Sequence, residues 1–226
     1  MNNIILQHFD GELRELDKLS MANIQKYAKM VGAEYKLITG KPFRKHLTSP
    51  CQKVHMLDQQ FDEYDEVLML DIDMFVPKGM TVNVFDEVGV GLYNPIQQNL
   101  HRKLARSYPF HAAESAPYWG GAIYKMPLLM RKCLREQLGG DEHWMSSYNQ
   151  PYHFEDEGIF HTLAYRAGYL KNDNLNLDPR WCYDNYLEDP ASAGMIHIRT
   201  KVTPSGPKRE KIVNYQALVD QGIISN

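Results

Sequence analysis

The sequence predicts an α/β fold built on a mostly parallel central sheet flanked by helices. Up to Leu70, runs of strand type alternate with segments of helical spacing. The third strand-type run, Val67-Leu68-Met69-Leu70, is continuously apolar, the pattern of a strand covered on both faces. Beyond Pro77 regular alternation is lost, which adds a smaller antiparallel part to the parallel core.

Each element follows from local pattern. Ile4 to Phe9 is a short apolar run suited to a buried strand, and Ile24, Tyr27, Ala28 and Val31 then recur at helical spacing up to Gly32 as a stop. Glu34 to Thr39 alternates like a second strand, and Val54, Leu57 and Phe61 mark one face of a second helix. Strand, helix, strand, helix, strand implies parallel pairing through right-handed crossovers. Further strands are expected at Val88 to Tyr93, Gly121 to Lys125 and Met195 to Ile198. Helices are expected after Pro127, over the face Phe160, Leu163, Ala164 and Ala167 stopped by Gly168, and up to Asp220. An aromatic-rich loop spans Asp141 to His153, and a Pro/Gly/Lys loop spans Lys201 to Lys211.

Composition narrows the function classes. With 226 residues, 43% hydrophobic and 23% charged, the chain can bury a core and fits one domain, residues 1–226. Lys+Arg 25 against Asp+Glu 28 leaves a net charge of −3, so no positive field exists to attract nucleic acid. Cys51, Cys133 and Cys182 show no CxxC pair or zinc spacing and read as reduced, buried thiols. Gln7-His8 ends the first apolar run too early for a signal peptide or membrane anchor. A soluble, cytoplasmic protein is the expectation.

The most informative stretch is VLMLDIDMFV, Val67 to Val76, where two carboxylates end a buried strand. Side chains at i and i+2 of an extended segment share a side, so Asp71 and Asp73 can converge on one ion. Ligands of open α/β sheets bind beyond the carboxyl ends of the strands. Such a pair offers hard oxygens to Mg²⁺ or Mn²⁺, and the cation can bridge a diphosphate. The plain alternative is a pair of solvated acids capping a turn. Two enzyme classes place D-x-D here. In haloacid-dehalogenase-like phosphatases the first acid, here Asp71, attacks phosphorus. Their motif opens the domain and continues with Thr or Val, whereas Phe75 occupies that position and two strand–helix units come first.

The second class fits better. KVHMLDQQFDEYDEVLMLDIDMFV, Lys53 to Val76, resembles the GT-A (Rossmann-like) glycosyltransferases, in which a lysine-bearing helix leads into a D-x-D that binds metal and nucleotide sugar. YWGGAIYKM, Tyr118 to Met126, is similar to the strand lining the donor sugar, and FEDEGIFHTLAYRAGY, Phe154 to Tyr169, to the acidic helix start facing the reacting carbon. LDPRW, Leu177 to Trp181, and IHIRTKVTP, Ile196 to Pro204, resemble two late elements. After His197 the family glycine is replaced by Thr200, and lysine comes early, at Lys201.

The resemblance implies a single GT-A domain with a nucleotide-binding half, 1–94, and an acceptor-side half, 95–226. It implies metal ligation by Asp71, Asp73 and His197, with Mn²⁺ favoured by the imidazole, and donor binding by Lys53, Ile72, Gly120, Gly121 and Lys201. The donor would be a nucleotide sugar, a uridine diphosphate sugar first, and the acceptor a hydroxyl of a glycan. Asp156 would be the base of an inverting transfer, or Glu157 would serve a retaining one. Their plain role is charge at the positive end of a helix dipole. Trp119, Trp144, Tyr152 and Trp181 would stack on acceptor sugars, and residues 201–211 would form a lid over the diphosphate or a solvated loop. A sugar-binding module that keeps the fold without turnover is the non-enzyme alternative.

Overall fold

The computed structural model describes residues 1–93, 116–140, 155–170, 174–186, 188–203 and 205–225. Strand β1 (Asn3–Phe9) leads through helix α1 (Glu15–Met30) to β2 (Glu34–Thr39), two 3-10 segments (Pro50–Leu57, Gln59–Phe61) and β3 (Glu66–Leu70). The short β4 (Met74–Phe75) and β5 (Gly91–Tyr93) precede β6 (Trp119–Pro127), α2 (Leu128–Glu136) and α3 (Glu155–Arg166). The chain continues through β7 (Tyr183–Asp184) and β8 (Ile196–His197) to α4 (Lys211–Asp220).

The main sheet has the order β2-β1-β3-β6-β5. β1 pairs in parallel with β2 and β3, whereas β6 is antiparallel to both β3 and β5, so only β6 runs against the rest. The expected mostly parallel sheet is present, and its reversed strand marks where the early alternation stops. Period-two side chains divide the core between the two faces. Ile4, Leu6, Val67 and Met69 pack with Phe61, Phe160 and Leu163 on one face. Ile5, Leu68 and Leu70 pack with Ile24, Tyr27 and Trp181 on the other. Both faces of β3 are covered, which accounts for its uninterrupted apolar run; each such side chain contributes roughly 1.5–3 kcal/mol.

A second sheet, β4-β8-β7, is antiparallel between β4 and β8 and parallel between β7 and β8. Phe75, Ile196, Tyr215 and Leu218 pack it against α4 and Leu16 of α1. This sheet fixes the late part of the chain against the end of β3, because Met74 pairs with His197. Gly32 (φ 70°) and Gly168 (φ 79°) end α1 and α3 in the left-handed region. Beyond them Ala33 and Tyr169 donate back to the carbonyls of Ala28 and Ala164, which satisfies groups the helix end leaves open.

Several sequence expectations are corrected. The helix through Val54, Leu57 and Phe61 is instead two 3-10 segments, interrupted at Asp58, whose extended backbone (ψ 146°) lets its side chain cap Gln60. Cys51, Gln52, Lys53, Val54, Met56 and Leu57 are buried there, so the segment is enclosed rather than amphipathic. The strand at 121–125 extends to Trp119–Pro127, and that at 195–198 contracts to Ile196–His197. Of the three cysteines, all free, only Cys51 is fully buried; Cys182 is half-buried and Cys133 is exposed. The aromatic loop, with Trp144 and Tyr152, lies outside the described residues, as does most of 95–117. Among the described residues no helix is long and apolar enough to cross a membrane.

Candidate active site

The D-x-D is not on extended backbone. β3 ends at Leu70, and the chain turns so that Met74 N–H donates to the Asp71 carbonyl at 3.3 Å. Three neighbours pin the turn: Asp71 N–H donates to Ala122 O at 2.9 Å, Ile198 N–H to Asp73 O at 3.0 Å, and the Gln7 amide to Asp71 O at 3.1 Å. Convergence of the two carboxylates therefore comes from a turn clamped by β1, β6 and the residue that follows β8, and not from strand alternation. β8 brings His197 opposite, with Nε2 3.1 Å from Asp73 Oδ1 and 3.8 Å from Asp71 Oδ2. One ligand atom from each of the three lies within 4.8 Å of the others. Two carboxylate oxygens and an imidazole nitrogen suit a divalent first-row cation. Behind them Cys182 Sγ is 3.9 Å from His197 Nδ1; burial pushes this thiol up, so it stays neutral.

The acidic start of α3 forms the second half of the site. Asp156 and Glu157 are buried and pack on β6 at Gly121, where an added Cβ would come 2.8 Å from Asp156 Oδ2. That glycine is required by the carboxylates themselves, whatever ligand they face. Lys53 Nζ bridges the two halves, 2.8 Å from Asp71 Oδ1 and 2.7 Å from Asp156 Oδ2. Its third proton goes to the Gly121 carbonyl, which exhausts the ammonium's donors. Tyr124 Oη also donates to Asp156 Oδ2, at 3.1 Å. Glu157 accepts from Gly121 N–H at 2.7 Å and from Tyr118 Oη at 3.1 Å.

Burial and charge set the protonation states. Burial opposes the Lys53 ammonium, but Asp156 and Asp71 outweigh it and keep the lysine charged. Burial raises Asp156 in spite of Lys53. Burial and then the charge of Asp156 push Glu157 up to about 8, so it is largely protonated at neutral pH. Asp73 goes the other way: burial disfavours its charge, yet His197 and Lys211 hold it below the ordinary carboxylate range.

A cavity of about 440 Å³ joins these groups, lined by His8, Phe9, Asp10, Lys53, Asp71, Ile72, Asp73, Gly120, Gly121, Asp156, Glu157 and His197 among others. Most residues singled out from sequence thus share one space. Lys201 does not line it; an exposed residue, it bridges to Lys208 within its own loop. Trp119 and Trp181 are corrections, because at 1% and 0% exposure neither has a face for a sugar. Each packs on a glycine, Gly91 and Gly194, where an added Cβ would come within 2.7 Å of the indole. Sequence reasoning missed Tyr118 and Tyr124 as partners of the acids, and missed Lys211, Asp184 and Arg199 in the lining. Arg199 had a signal, since it stands two residues after His197 and so shares its side of an extended segment.

No family model and no curated protein sequence matches the chain. Solved structures do. A glycosyltransferase involved in glycosylation of the major capsid of PBCV-1 superposes with a TM-score of 0.59 at 12% identity, over 97% of this chain and 100% of that one. The galactosyltransferase LgtC, in complex with donor and acceptor sugar analogs, superposes with a TM-score of 0.54 at 13% identity, over 99% and 96%. With its mostly parallel sheet, its small second sheet and the Asp71–Asp73–His197 cluster at the end of β3, the chain has the GT-A glycosyltransferase fold.

Proposed function

We propose that this chain is a metal-dependent glycosyltransferase that moves a sugar from a uridine diphosphate sugar to a hydroxyl of a glycan acceptor. The observation that carries the reading is one cavity that holds Asp71, Asp73 and His197 together with the buried acids Asp156 and Glu157. Its position beyond the carboxyl end of β3 is where open α/β sheets bind ligands. The structural similarity to LgtC, solved with donor and acceptor sugar analogs, agrees with it.

In this reading Asp71, Asp73 and His197 hold Mn²⁺, with Mg²⁺ as the alternative. Bound there, the cation supplies Lewis-acid neutralisation of the departing diphosphate. Ile72, Gly120 and Gly121 border the donor, with residues 1–94 as the nucleotide side and 95–226 as the acceptor side. Lys53 holds Asp71 and Asp156 at fixed spacing. Asp156 takes the acceptor hydroxyl proton at Oδ1, since Lys53 and Tyr124 both engage Oδ2. The acceptor oxygen forms its bond to the anomeric carbon as the bond to the diphosphate oxygen breaks, and the electron pair leaves with the diphosphate. Protonated Glu157 is a hydrogen-bond donor beside it. Trp144 and Tyr152 are the aromatic residues proposed to meet the acceptor.

The test is thermal shift with uridine diphosphate, with and without Mn²⁺, followed by turnover assays over a panel of uridine diphosphate sugars. A ligand that binds only the native state raises its melting temperature, so the expected result is a rise that needs Mn²⁺ and is absent in Asp73→Asn. Equal binding in excess chelator overturns the metal bridge. Metal-dependent binding with neither transfer nor hydrolysis makes the chain a sugar-nucleotide binding module.

A further inference from the structure

The two carboxylates of the D-x-D each carry a lysine, and the two lysines differ in exposure and in their number of partners. Lys53 on Asp71 has 8% of its side chain exposed and is committed to three partners. Lys211 on Asp73 is 29% exposed and has Asp73 as its ion-pair partner. It is the first residue of α4, the end of a helix where a cation opposes the dipole. What holds the ammonium there is Asp73, and its side chain lines the cavity.

Charge balance decides what this pairing does. Without a cation, the cluster holds the carboxylates of Asp71, Asp73 and Asp156 against the ammonium groups of Lys53 and Lys211, one negative charge in excess. A dication on Asp71, Asp73 and His197 would turn that into an excess of one positive charge. Departure of Lys211 restores neutrality, whereas Lys53 cannot leave without stranding buried Asp156. In a site this desolvated, two cations on one carboxylate repel strongly.

We propose that Lys211 is an internal stand-in for the metal: its ammonium occupies Asp73 in the metal-free protein and is expelled into the cavity when a divalent cation binds. This rests on the reading of Asp71, Asp73 and His197 as the cation site. The stand-in gives the buried Asp73 carboxylate a charged partner on Oδ2, beside His197 on Oδ1, so the site stays assembled without metal, at a cost in metal affinity.

The test is calorimetric titration with Mn²⁺ alone, with no nucleotide and no turnover. Lys211→Ala should bind Mn²⁺ about tenfold more tightly than wild type, and the metal-free variant should melt at a lower temperature. Lys211→Gln serves the same purpose if the alanine variant folds poorly, and Lys211→Arg, which keeps a cation on Asp73, should stay near wild type. Arg199→Gln removes another cation of the same cavity, one paired with Asp184 instead, and should change the affinity by less than about twofold. Unchanged or weaker Mn²⁺ binding in Lys211→Ala overturns the proposal, as does equal tightening in Arg199→Gln, which would mean general electrostatics. If Mn²⁺ binds neither wild type nor variant, the metal reading itself fails; if both bind equally and Asp73→Asn does not bind, only the stand-in fails.

Discussion

The wall of the cavity around Lys53 and the wall around Lys211 solve the same problem by different means. On the first, a buried ammonium gives its protons to Asp71, Asp156 and Gly121, and Tyr124 and Tyr118 close the acids from behind. On the second, Asp73 meets His197 from a two-residue strand and Lys211 from the start of a helix, and Lys211 is more exposed than Lys53 although Asp73 itself is buried. The first wall is a closed network in which every member is fixed by another. The second is an open pair whose cation can be exchanged. In the proposed function, rigidity falls on the side where Asp156 would face the sugar, and exchangeability on the side where the cation would bind.

The largest effect that sharpens this contrast should come from Lys53→Met. Removing one partner of a buried pair costs about 3 kcal/mol or more, because the remaining charge is left uncompensated. Asp156, already raised by burial, would then take up a proton, so the loss should be smaller at pH 5 than at pH 7.5. Turnover should disappear with the geometry. The double variant Lys53→Met/Asp156→Asn should recover much of the stability, since no buried carboxylate is then stranded there. Denaturant melts of both variants at the two pH values check this. A single variant as stable as wild type would mean that the wall is not a closed network.

Much of this site was legible before the fold. An apolar run ended by two acids points locally to Asp71 and Asp73, whereas the acidic helix start alone reads as dipole charge and points to Asp156 and Glu157 only through the resemblance. The turn that makes Asp71 and Asp73 converge was not legible, since it is clamped by Gln7, Ala122 and Ile198 from distant parts of the chain. Lys211 was read as the end of a segment, 201–211, that would be a lid over the diphosphate or a solvated loop, and nothing local distinguishes it from Lys201. Trp119 and Trp181 were misassigned because an aromatic residue does not announce its burial. The glycines against which they pack, Gly91 and Gly194, are informative only once the pairing of the elements is known.

A second variant probes the closed wall from the acid side. Asp156→Asn removes a charge that burial already disfavours, and Lys53 keeps Asp71 and Gly121 as partners. Stability and Mn²⁺-dependent nucleotide binding should therefore be nearly unchanged, while kcat falls by a factor on the order of 10², the usual scale for a general base. Retained kcat with a cognate donor and acceptor removes Asp156 from the chemistry and leaves it a structural member of the network. Retention of the anomeric configuration in the product, read by NMR, would transfer the reacting role to Glu157.

The smallest effect on turnover is expected from Glu157→Gln. Glu157 is held up to about 8, first by burial and then by Asp156, while Gly121 N–H, Lys53 and Tyr118 partly oppose. Largely protonated near pH 7, it is closely mimicked by Gln, so kcat there should fall by well under the roughly 10²-fold loss expected on removing a general base. Stability separates the two side chains as pH changes. A carboxyl raised from 4.5 to about 8 on folding keeps its proton in the native state after the unfolded chain has released it. Its stabilising contribution is complete below about pH 4.5 and is lost as pH rises through 8. The melting temperature of Glu157→Gln relative to wild type should thus climb between pH 5 and pH 8 and level off above. The Asp156→Asn background provides the reference, because the neighbouring acid titrates with it. There the climb should begin at the same pH but level off at a lower one, since the charge that helps raise Glu157 is gone. A difference that stays flat from pH 5 to pH 9 would mean that Glu157 is ionised throughout, and the closed wall would then hold three carboxylates, Asp71, Asp156 and Glu157, against the one ammonium of Lys53.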